Sequence, residues 1–116
     1  MMKELMTTLA VLGVTGCAAV QIPADQLERS EASIRGAEEV GAQDVPEARL
    51  HLQMAKDENA AAKQMAAKGD KRAVLMLARA DSDSELALGL ARQATVHADV
   101  VKAAEELRAV NARSTP

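Results

Sequence analysis

The sequence predicts an all-α fold: an Ala-rich helical hairpin or three-helix bundle, coiled-coil-like, with a long third helix. Three observations predict it. Alanine supplies 25 of the 116 residues, and Leu, Met, Glu, Gln, Lys and Arg, the next-strongest helix formers, supply much of the rest. No stretch alternates apolar and polar residues with period two, so a sheet is not expected. Turn formers punctuate the chain at Pro23, at "GAQDVP" (41–46) and at "KGD" (68–70), which divides it into three helical stretches. At 116 residues the chain makes one domain at most, expected over residues 24–112.

The amino-terminal stretch comes first. Residues 1–16 read as a signal peptide: a short start carrying Lys3 and Glu4, an apolar region over 5–14, then small Thr15 and Gly16. The apolar run ends well short of the roughly 20 residues that a membrane-spanning helix needs. Val14-Thr15-Gly16-Cys17 resembles the lipobox of bacterial lipoproteins, in which an aliphatic residue, a small residue and Gly or Ala precede a cysteine. The resemblance implies cleavage between Gly16 and Cys17, a diacylglycerol thioether on the Cys17 sulfur, and acylation of the new amine. Such an anchor is firm, because a single acyl chain binds a bilayer only marginally whereas two or three hold. In the enterobacterial pattern an Asp after the cysteine retains the protein in the inner membrane. Ala18 therefore resembles an outer-membrane destination facing the periplasm. Residues 17–23 read as the lipidated tether.

Helix one is expected over 24–40. Pro23 suits its entry, Leu27, Ile34 and Ala37 form a thin apolar stripe with Ser30 or Glu31 between, and Gly41 stops it. Helix two is expected over 46–68, with Asp44 as a cap, Pro46 in the first turn and Glu47 at capping-box spacing. At 100° per residue, Ala48, Leu52, Ala55, Ala62 and Ala66 make one stripe. Leu50, Met54, Ala61 and Met65 make a second, suited to another neighbour. Gly69 ends this helix and Asp70 caps the third, expected over 70–112. Its apolar residues Leu75, Ala78, Leu86, Leu90, Ala94, Val101 and Ala104 are spaced mostly three or four apart. A helix of that length extends about 63 Å, and helix two covers only about half of it. "DSDS" at 81–84 and Gly89 are the points where it would bend or break, and 113–116 should fray.

Residues 30–94, "SEASIRGAEEVGAQDVPEARLHLQMAKDENAAAKQMAAKGDKRAVLMLARADSDSELALGLARQA", resemble an uncharacterised family of envelope proteins, the domain-of-unknown-function 4398 family. The shared pattern is a short helix, a turn with Pro, an Ala-rich helix, a Gly-Asp turn and a long Ala/Leu/Glu/Arg helix. The resemblance implies a membrane-anchored periplasmic lipoprotein with a structural or adaptor role. The chain closes in Arg113-Ser114-Thr115-Pro116, without the terminal Lys by which the major murein lipoprotein joins the wall, so attachment by that route is not expected. A tetratricopeptide-like module for an envelope partner is the alternative, since Ala55, Gly69 and Ala73 or Ala80 fall near that repeat's small positions. One helix pair is short of the three or so repeats that such stacking needs.

Catalysis is not expected. No Gly-x-Ser-x-Gly elbow or phosphate-cradling loop occurs, and no aromatic residue is present to stack on bases, sugars or quaternary amines. The net charge of −3 is spread over interspersed signs, which disfavours nucleic acid. His51 shares a helix face with Glu47 and Glu58, and His97 lies near the apolar stripe of helix three. Neither has a Glu three residues earlier, so no metal is expected, and no cofactor beyond the lipid on Cys17. Met54, Met65 and Met76 read as core filler. The part of helix three beyond the hairpin leaves Val96, Val100, Val101 and Leu107 as a candidate interaction face. The partners this allows are an envelope protein or a second copy, with the membrane reached through lipid.

Overall fold

The computed structural model describes residues 20–114. Three helices, α1 (Ala24–Glu39), α2 (Pro46–Ala67) and α3 (Ala73–Ser114), form an all-α bundle, and a single 3-10 turn at Ala42–Asp44 joins the first two. The anticipated signal peptide, Gly16, Cys17 and the first part of the tether (17–19) lie outside the described residues, as do Thr115 and Pro116.

α2 runs antiparallel to both neighbours, while α1 and α3 run parallel. Ser30, Glu31 and Glu38 of α1 meet Asn59, Lys63 and Lys56 of α2, so the α2 numbers fall broadly as the α1 numbers rise. On α3, Leu77 and Asp81 face Gln26 and Arg29, and Leu88 approaches Gly36.

The turns follow from local chemistry. α2 ends in a Schellman arrangement: Gly69 takes φ 73°, its N–H donates to the Ala66 carbonyl at 3.0 Å, and the Asp70 N–H donates to Met65 at 2.9 Å. Asp70 then opens α3, its carboxylate accepting the Arg72 N–H at 2.9 Å. The Arg72 guanidinium on the same carboxylate holds the Asp70 pKa down at about 2. The expected Asp44 cap does not form. Pro46 is the first helical residue and forces Val45 into extended backbone, so the cap position falls on Val45, which has no side-chain oxygen.

The core is a narrow seam of small residues. α2 buries Ala48, Leu52, Ala55, Asn59 and Ala62. α3 buries Ala73, Leu77, Ala80, Ser84, Ala87 and Ala91. Both sets step by alternating fours and threes, the 3.5-residue period of a coiled coil. α1 adds Ser30 and Ala37. Alanine holds most of these positions, and such a low-bulk seam suits the short end of the usual 8–10 Å separation of helix axes. The two polar intruders on α1 and α2 satisfy each other, with Asn59 Nδ2 donating to Ser30 Oγ at 3.2 Å. On α3, Ser84 Oγ donates to the Asp81 carbonyl at 2.7 Å.

Three sequence expectations change here. The α3 stripe is in a different phase: Leu75, Ala78 and Leu86 are exposed, and the buried line runs through Leu77 and the alanines. The second α2 stripe is only partly covered: α1 packs mainly on α3, Leu50 and Met54 are exposed, and Ala61 and Met65 are half-buried. The methionines are not core filler: Met65 and Met76 are half-buried at the margins, since an alanine seam has no room for them. α3 is continuous through 81–84 and Gly89. Ser82, Ser84 and Thr95 turn their hydroxyls back to carbonyls of their own helix, so none of them competes for backbone partners elsewhere.

Candidate functional site

Two places on the bundle carry more than packing. The first is a polar clasp between α2 and α3. His51 Nδ1 lies 2.7 Å from Asp83 Oδ1, and Arg79 lies 3.1 Å from Glu58 Oε1. Glu58 and Asp83 also approach each other, and the side chain of Glu58 is only 12% exposed. Burial, with Asp83 beside it, raises the Glu58 pKa above the ordinary value, while Arg79 works in the opposite direction. One oxygen, Glu58 Oε2, is buried without a partner. The partner of His51 is thus Asp83, across the helix pair, rather than Glu47 on its own helix. Spacing along one chain could not reveal this, because the pairing depends on how α2 and α3 align.

The clasp aligns the two helices. Among the described residues no group of three His, Cys, Asp or Glu side chains is placed to hold a metal ion. The neighbouring groove, lined by Leu75, Ala78, Arg79, Ser82, Asp83 and Leu86, runs open along the outside of α3. His97 is exposed and lines another open groove with Val45 and Glu47, where α2 begins.

The raised Glu58 pKa makes a prediction. A carboxyl whose folded pKa exceeds its unfolded value favours the folded state while protonated, so its contribution is lost as pH rises from near 4.5 through the folded pKa. Glu58→Gln keeps the shape, donates to Asp83 and removes the buried charge. Urea unfolding from pH 4.5 to 8 is expected to show a flatter profile for the variant, with stability at pH 7 no lower than the parent's. A variant clearly weaker at pH 7 would mean that the Arg79 pair outweighs burial.

The second place is the carboxyl-terminal part of α3. The carboxyl end of α1 at Val40 lies level with Arg92, Thr95 and Val96, and the start of α2 lies level with Leu90 to His97. Beyond that level residues 98–114 extend past the ends of α1 and α2, a length of about 25 Å. Val96, Val100 and Leu107 are 61%, 59% and 62% exposed, and Val110, not singled out from the sequence, is 56% exposed. Val96, Val100, Ala103, Leu107 and Val110 again step by fours and threes. Val101 does not belong with them; it stands on the line that continues the buried Ala87 and Ala91 seam.

No protein-family model, curated protein or solved structure matches this chain.

Proposed function

We propose that the protein is a lipid-anchored component of the bacterial cell envelope. Cys17 holds it at the periplasmic face of the outer membrane, and it serves a structural or adaptor role without catalysis. The observation that carries the reading is Val14-Thr15-Gly16-Cys17, standing at the end of a short apolar run and six residues before Pro23 at the entry to α1. The likeness of residues 30–94 to an envelope family points the same way, but it is one of composition and the reading does not depend on it. The layout of the body suits an anchored spacer. α1 begins beside Leu77, near the α2–α3 turn, so the chain enters the body at one end and the exposed arm of α3 points away from that end. No helix among the described residues is long and apolar enough to cross a membrane, and on this reading lipid makes the attachment.

Intact mass of protein taken from native membranes tests this, beside Cys17→Ala. The wild type is expected to lack residues 1–16 and to carry two or three acyl chains. The variant is expected to carry none and to keep Met1. A wild-type chain that keeps Met1 and bears no lipid would overturn the anchor and the localisation together.

A further inference from the structure

We infer that the projecting arm of α3 pairs antiparallel with the same arm of a second copy. Val96, Val100, Ala103, Leu107 and Val110 form a heptad line; Val96 stands beside Val40 at the end of α1, and from Val100 to Val110 the line runs past the ends of α1 and α2 with its large residues exposed. It faces away from the body, roughly 140° around α3 from the buried seam. A partner helix can therefore lie on it without displacing α1 or α2. This inference does not depend on the anchor at Cys17.

Geometry and charge select the antiparallel register. Antiparallel arms centred near Glu105 set Val100 against Val110 of the second copy, and Leu107 against its Ala103. Each large residue thus meets a small one or a Val meets a Val, as close packing of two helices requires. The same register brings Asp99 opposite Arg113 of the second copy, twice by symmetry. Asp99 and Arg113 both flank the seam on the same side, two heptads apart. One like-charge contact opposes this, where Glu106 meets its own copy at the dyad, with Lys102 one turn away on each chain. A parallel pair lacks these ion pairs: it sets Asp99 toward Ala104, Glu106 toward Asn111, and Leu107 against Leu107. In the antiparallel pair the two bodies lie at opposite ends, and their amino-terminal entries stand about 85 Å apart. With the anchor in place, the assembly is a rod anchored at each end.

The contact is short, so a dissociation constant of roughly 10–100 µM is expected. The test is sedimentation equilibrium of the full chain carrying Cys17→Ala, which removes acylation and adventitious disulfides. The parent should be a monomer–dimer mixture, and Leu107→Asp a monomer. Asp99→Arg and Arg113→Asp alone should each weaken the dimer at least about fivefold, and the double swap should restore it. Residues 99 and 113 are too far apart along one helix to touch, so restoration can only arise between copies. Glu106→Gln should tighten the dimer. In the same background Glu106→Cys should form an interchain disulfide under mild oxidation, and Val96→Cys should not. A parent that stays monomeric up to about 0.5 mM overturns the inference. So does a double swap no tighter than the single variants, or a disulfide through Val96→Cys in place of Glu106→Cys.

Discussion

Leu77→Ala is expected to cost about 2–5 kcal/mol of folding stability, while Leu75→Ala, two residues away, stays within about 0.5 kcal/mol of the parent. Leu77 is 1% exposed and, with Leu52, is one of the two buried leucines among the described residues, whereas Leu75 is 66% exposed. The Leu77 cost combines the lost transfer energy of three carbons with a cavity that rigid, close-set helices cannot collapse. A domain of this size has about 5–15 kcal/mol in total, so the loss should lower the melting temperature by about 8–40 °C. Urea and thermal unfolding of the two variants side by side would measure it. Equal costs would mean that α3 is rotated from the phase described, and the clasp and the arm seam would rotate with it.

That comparison turns on the feature that was hardest to read in the sequence. The helices themselves were legible. Pro23, Gly41, Pro46 and Gly69 mark their ends for reasons that belong to single residues, a fixed φ or a free left-handed one. Which face of α3 is buried was not. Leu75, Ala78, Leu86 and Leu90 repeat at helical spacing as convincingly as Ala73, Leu77, Ala80 and Ala87. Large apolar side chains dominate any hydrophobic stripe drawn from sequence. Close packing of helices instead favours the line with the least bulk, and here that line includes Ser84 on α3 and Asn59 on α2, which a hydrophobic reading passes over. On the arm the opposite held. No second helix competes there for the small positions, so the large apolar residues Val96, Val100 and Leu107 are legible, although Val101, read with them, stands on another line and Val110 is passed over. The clasp was invisible because it is a property of two helices in register: His51 and Asp83 lie 32 residues apart, and the carboxylates on the His51 face, Glu47 and Glu58, suggest partners on its own helix instead.

The same reasoning about bulk gives the second large effect. Ala80→Leu adds three carbons at a position with no exposure, in a seam where the residues a turn away on either side, Leu77 and Ser84, are also buried. The variant gives up little helix propensity, since Leu follows Ala closely on that scale, so any sizeable loss comes from packing. Overpacking of a tight core costs about 1–3 kcal/mol, and the upper end or beyond is expected here. A leucine at residue 80 has no void to fill, and the helices can admit it only by moving apart along their length. That separation also strains the two pairs that join α2 to α3 on either side, Arg79 with Glu58 and His51 with Asp83. Ala78→Leu, on the exposed face of the same turn, is the control and should change stability by less than about 0.5 kcal/mol. Urea unfolding of both variants decides the matter. If Ala80→Leu is as mild as Ala78→Leu, the helices are held by their polar clasp and their margins. If it costs several times more, the alanine seam sets the spacing of the bundle, and the small residues that make the sequence look featureless are the ones that fix its fold.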